Sequence, residues 1–293
     1  MSGTEPRPAS WTERAGPRPA SPTALLNLVI AQASFIAALM FYVGVIYTSA
    51  YYGHFHLSPF SLGLGFAEFV LQSLNLMTFP VLVGAVVLLV VVAVGGRWPR
   101  QAPPAGLARV TSLGTALAAR SHLVVVVAGL LLLVLWWQWQ LLLPYRWAGP
   151  LLVAVGLLLG EARRADADRP RGLRDAAVSV LAAAAFLLWT VTLAAAQLGE
   201  RNARNDAREV VERTGLVVYS VQRLGIRSRS PELRFDDLGQ GVHFRYRYTG
   251  LRLVVAREGR YYAVPVGWRA KTDHVYVIRE ADDVRVELTP GVR

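Results

Sequence analysis

Residues 122–143 read HLVVVVAGLLLLVLWWQWQLLL, without a single Asp, Glu, Lys or Arg. A helix that is apolar all round has no side to turn toward water, so it belongs in a large core or in lipid. The chain has 293 residues, 54% hydrophobic and 17% charged. A soluble domain carries about a quarter charged residues, and here the apolar residues are bunched rather than spread. The bilayer is the better home.

Four other stretches behave alike: 24–48 (ALLNLVIAQASFIAALMFYVGVIYT), 66–94, 147–160 (WAGPLLVAVGLLLG) and 176–198 (AAVSVLAAAAFLLWTVTLAAAQL). Crossing a hydrocarbon core of ~30 Å takes about 20 apolar residues. The stretch 147–160 rises only ~21 Å, so it must thin the bilayer, lean on snorkelling arginines or re-enter. Arginine placement bears on this, because short cytoplasmic loops are enriched in positive charge. Arg7, Arg14 and Arg18 precede the first stretch. Arg97, Arg100, Arg109 and Arg120 lie between the second and third, and Arg163, Arg164, Arg169, Arg171 and Arg174 precede the last. Residues 49–65 have no basic residue, and 144–146 have only Arg146. Five crossings put all three Arg-rich segments on one side, whereas four do not.

The expected fold class is therefore an α-helical integral membrane protein of about five spans, followed by a small C-terminal antiparallel β-rich domain. Residues 1–23, rich in Pro and Arg, have too few apolar residues to fold and read as a disordered cytoplasmic tail. The first stretch is too long for the apolar region of a cleaved signal peptide. Residues 24–198 form the transmembrane domain and 199–215 a polar helical stalk that Gly215 stops. Residues 216–293 form an extracytoplasmic domain with about six short strands in a meander or small open barrel. In VHFRYRYTG, Phe244, Tyr246 and Tyr248 alternate with Arg245, Arg247 and Thr249, the period of a half-buried strand. Glu258-Gly259 offers a hairpin turn. The expected location is a bacterial plasma membrane; of 31 basic residues only Lys271 is lysine, and the Ala-, Val-, Gly- and Pro-rich composition suggests GC-rich coding.

The segments YRYTGLRLVVAREGRYYAVPVGW and VYVIREADDVRVELTPG resemble the C-terminal end of uncharacterised, hypothetical multi-spanning membrane proteins of high-GC Gram-positive bacteria. The resemblance covers about 50 residues closely and the spans more loosely. It implies architecture and location and carries over no functional residue.

Three sets of residues are candidates for function. His54 and His56, in YYGHFHLSPF, fit an outer-surface segment and offer two nitrogens, fewer than the three or four ligands a zinc site needs. Ser58-Pro59 reads as a helix start. Glu68, Gln72 and Asn75 recur at i, i+4 and i+7 on one helix face, either a polar packing seam or a transport path. Counting back from Val94 puts Glu68 at headgroup level, where a helix N-terminus favours its charge. Arg245, Arg247 and Arg252 form a candidate basic patch on the outer domain, which holds 18 basic and 13 acidic residues over 199–293. It suits an anionic envelope polymer or an acidic envelope protein, or is a solvated strand face.

Several classes find no support. The formal charge of +11 is the kind that suggests nucleic acid, but the domain carrying the patch is expected outside the cell, so no nucleic-acid partner follows. The chain has no cysteine, so neither disulfides nor thiolate metal sites arise. Its single lysine sits in WRAKTDH, not in a phosphate-cradling G-x-x-x-x-G-K-[ST] loop. Gly63-Leu64-Gly65 follows no strand and is not a dinucleotide loop. There is no H-E-x-x-H and no G-x-S-x-G. The expectation is a non-enzymatic membrane protein with a binding, sensing or assembly module and no cofactor; a small channel or transporter using the Glu68 face is the alternative. The bilayer is one partner, and a homo-oligomer stays open.

Overall fold

The computed structural model describes residues 22–76, 121–139, 145–165, 173–226 and 230–291. Residues 1–21 of the expected tail, 77–94 of the second expected span and 95–120 of the loop after it lie outside the described residues.

Among the described residues five α-helices come first: α1 (Pro22–His54), α2 (Phe66–Leu76), α3 (Ser121–Trp139), α4 (Ala148–Ala165) and α5 (Leu173–Arg208). A 3-10 turn (Val210–Glu212) then leads into β1 (Gly215–Ser220), β2 (Arg234–Asp237), β3 (Tyr246–Arg257), β4 (Arg260–Pro265), β5 (Tyr276–Arg279) and β6 (Val284–Thr289). By compactness residues 1–39 form one unit and residues 40–293 the other; the first unit's described part is the N-terminal half of α1.

The expectation of about five spans is corrected here. Among the described residues two helices are long and apolar enough to cross a membrane, Val29–His54 and Ala177–Arg208. Neither is the buried core helix of a soluble protein: Phe35 is 70% exposed and Leu181 76%. The apolar parts of α3 and α4, His122–Trp136 and Ala148–Glu161, are shorter, rising only about 21–23 Å against a ~30 Å core. α2 is described for 11 residues.

α3 and α4 form an antiparallel hairpin sealed by glycine. A Cβ on Gly129 would lie 2.8 Å from the Val153 backbone nitrogen, one on Gly156 2.9 Å from that of Val126, and one on Gly149 3.0 Å from the Leu133 side chain. Gly156 and Gly160 are four apart, the spacing that lets helix backbones touch in lipid. By contrast α1 and α5 run parallel. Tyr42 Oη and Thr192 Oγ1 are 2.9 Å apart, Asn202 Nδ2 donates to Tyr47 Oη at 3.0 Å, and Tyr51 Oη donates to Asp206 Oδ2 at 2.5 Å. Gly199 lets the helices close, since its Cβ would lie 2.5 Å from the Tyr47 carbonyl oxygen.

The sheet is antiparallel throughout, in the order β5-β4-β3-β1-β6, with β2 also paired to β3. It is not a meander, because β1 lies between β3 and β6. The 12-residue β3 makes this possible. On one side Arg252–Tyr246 pairs with β1, while on the other β2 pairs with Tyr246–Thr249 and β4 with Leu251–Arg257. The handover falls at Gly250, whose φ is +89 and whose Cβ would lie 2.0 Å from the Glu232 carbonyl oxygen. No side chain fits there. Leu216, Val218, Tyr248, Leu251, Ala263, Ile278 and Val284 form the core on one face. Glu258 (φ 50) and Gly259 (φ 70) make the β3–β4 hairpin turn.

Candidate functional site at the helix–sheet joint

The sheet shares a second core with the ends of α1 and α5: Phe55, Ala203, Val210, Val264 and Trp268, with Tyr51, Leu57 and Ala207 packed against them. The chemistry of YYGHFHLSPF is spent on building this joint.

α1 ends in a Schellman motif. Leu57 N–H donates to the Tyr52 carbonyl at 3.0 Å and His56 N–H to that of Gly53 at 3.1 Å. These bonds satisfy carbonyls that a helix end leaves open. His56 takes the left-handed residue of the motif with φ 57, a place where glycine is usual. Its Nε2 meets the Ala270 carbonyl oxygen at 2.5 Å. The reversed chain drives Phe55 inward, where it stacks on Trp268 at 5.2 Å and 23°. His54 and His56 meet the edge region of the same indole at 5.9 and 6.4 Å. Trp268 closes a turn after β4, its N–H donating to the Pro265 carbonyl at 3.1 Å with Gly267 at φ +76. Both histidines thus flank one buried tryptophan.

Beside this stack lies a cluster that local spacing does not reveal. Arg213 Nη2 donates to Tyr51 Oη and to Asp206 Oδ2, each at 2.5 Å, and its Nη1 to the Val254 carbonyl at 3.4 Å. Arg213 thereby ties α1, α5 and β3 together. Burial disfavours its charge, but Tyr51 and Asp206 outweigh that and raise its pKa above the usual arginine value.

Ser58-Pro59 opens a tight turn rather than a helix: Leu62 N–H returns to the Ser58 carbonyl and Leu64 N–H to that of Pro59. α2 begins seven residues later, capped by Glu68. Its Oε2 accepts from Gly65 N–H at 2.9 Å, the carboxylate half of a capping box. Its Oε1 accepts from Arg257 Nη2 at 2.8 Å, at the end of β3. That guanidinium and the backbone amides hold the Glu68 carboxyl below the usual range. Gln72 is half-buried one turn along, and Asn75 sits near the end of the described helix. The carboxylate of the proposed polar face is thus engaged at the helix start.

Of the three arginines on the sheet, Arg245 is bound in a fork by Asp237, with Nε and Nη2 at 3.0 and 2.9 Å, and the Asp237 carboxyl is held low by that partner. Arg247 stands opposite Tyr219 on β1 and Asp236 on β2, with Arg285 next across the sheet. Arg252 lies opposite Gly215, with its Nη1 2.5 Å from where a Cβ would be. Arg247, Arg252, Arg285 and Tyr219 share the sheet face opposite Leu216 and Val218, the face on which Val264 enters the joint.

Among the described residues no cluster of three or more His, Asp or Glu could hold a metal. No family model, curated protein or solved structure matches the chain.

Proposed function

We propose that the chain is a non-enzymatic membrane protein of a bacterial plasma membrane whose six-stranded module binds an anionic envelope polymer or an acidic envelope protein. The observation that carries this reading is the joint. A sheet that shares its core with the ends of two membrane-length helices is held at the bilayer surface with a fixed orientation. On the sheet face that enters the joint at Val264, Arg252 stands beside that contact and Arg247 and Arg285 lie further along, on either side of Tyr219. Guanidinium groups bind carboxylate and phosphate in forks, and an aromatic beside them adds stacking area.

The proposed orientation has the N-terminal ends of α1 and α5 in the cytoplasm and the sheet outside. It rests on Arg7, Arg14 and Arg18 before α1 and Arg169, Arg171 and Arg174 around the start of α5. Alkaline phosphatase fused after Arg293 is expected to be active and green fluorescent protein at the same place dark; the reverse pattern puts the sheet inside. Charge reversal at Arg247 and Arg285 is expected to abolish co-purification of the envelope partner while leaving the protein in the membrane. An unchanged partner set removes the role assigned to this face. The transport alternative uses Glu68, and identical liposome flux from wild type and Glu68→Gln excludes it.

A further inference from the structure

Where α1 and α5 leave their apolar stretches, a cleft of about 450 Å³ opens between them, in the size range of small-ligand sites. Its polar lining comes from four separate parts of the chain. Ser49, His54 and His56 come from the end of α1, Arg146 from the turn before α4, Gln197 and Glu200 from α5, and Lys271 from the β4–β5 loop. Ala50, Gly53, Leu193 and Ala196 supply an apolar wall. The charges are not balanced. Arg146 and the chain's single lysine face one acid, Glu200, whose carboxylate is already taken by Arg204 one turn along α5. Arg146 Nε is buried without a hydrogen-bond partner, and its guanidinium lies 6.0 Å from the Trp136 ring, so it is held in place at the edge of the cleft.

We infer that this cleft binds a phosphate-bearing anion, held by Arg146 and Lys271 and presented by the headgroup of an anionic phospholipid. A guanidinium gives a forked pair of N–H donors and an ammonium a point charge, the usual pairing for a phosphate. Position selects the lipid as the source. The cleft lies between the ends of the two helices long enough to cross a bilayer, so a ligand there sits at headgroup depth. Arg146 also lines a small apolar crevice with Leu132, Leu133, Trp136 and Tyr145. The inference rests on the membrane reading but not on what the arginine-bearing face of the sheet binds.

The test uses the full chain in a neutral detergent, titrated by calorimetry with short-chain phosphatidylglycerol, with diacylglycerol of the same chains, and with inorganic phosphate. Saturable binding of the phospholipid is expected, weakened roughly ten- to a hundredfold in Arg146→Gln/Lys271→Gln, since each lost charged hydrogen bond is worth about one factor of ten or more. Arg260→Gln, an exposed arginine outside the cleft, is expected to bind as wild type. Lys271→Gln alone, at an exposed position, serves if the double variant does not fold. Equal affinity in wild type and variants, or phospholipid binding no tighter than diacylglycerol, overturns the inference. Inorganic phosphate binding as tightly, with the same loss in the variants, retains the anion site and assigns it to a free ion. Charge reversal at Arg247 and Arg285 leaves the cleft lining intact, so the two proposals fail independently.

Discussion

Arg213 holds three acceptors from three elements, and two of them, Tyr51 and Asp206, are also bonded to each other. Groups bound in this way are not additive. Arg213→Ala is expected to cost about 1–3 kcal/mol, the partial exposure of the pair keeping it below the value for a fully buried ion pair. Tyr51→Phe is expected to cost about 1 kcal/mol. The double variant should fall short of the sum by more than about 0.5 kcal/mol, measured by thermal unfolding in detergent. Trp268→Ala, which empties the stack on Phe55, is expected to cost about 3–5 kcal/mol, and Trp268→Phe clearly less. The task of His54 and His56 was not legible from their surroundings. A left-handed helix cap is announced by glycine or asparagine, and here a histidine takes it. Nor could spacing show Arg213 meeting a tyrosine 162 positions away.

At the scale of elements, the Glu68–Arg257 contact joins α2 to the tip of the β3–β4 hairpin. Because the folded state depresses the Glu68 pKa, the contact's contribution is complete at neutral pH, above the unfolded carboxylate value. It is lost as acid takes the pH down through the lower folded value. The exchange protection of the Gly65 amide, taken relative to its intrinsic rate at each pH, is therefore expected to fall in acid in wild type and to be low already at neutral pH in Glu68→Gln. Gly250→Ala has neither the backbone angle nor the room it needs, and should release β2 from β3 while leaving the β1–β6 pairing. Loss of exchange protection confined to Arg234–Asp237 is the outcome to look for. The alternation around Tyr246 and Tyr248 announced a strand, and Glu258-Gly259 announced its hairpin. What pairs with each half of β3 did not show, because that depends on the register of segments far apart in sequence.

For the whole molecule, apolar run length gave a good account of where helices occur and a poor one of which of them are long enough to cross. α3 and α4 are apolar but short, and they satisfy one another through Gly129, Gly149 and Gly156. Gly129→Leu should pry this hairpin apart and lower the thermal midpoint, by steric clash of the kind that costs about 1–3 kcal/mol in packed interiors. The joint was the least legible feature, since its residues come from the two ends of the chain and acquire meaning only together. α5 continues unbroken from Leu173 to Arg208, and β1 begins at Gly215 after a single 3-10 turn. In that short passage Val210 is packed in the joint core and Arg213 is bonded to α1 and α5. On the orientation proposed above, a load on the sheet therefore works on a continuous shaft and reaches the N-terminal end of α5 as motion of the helix itself.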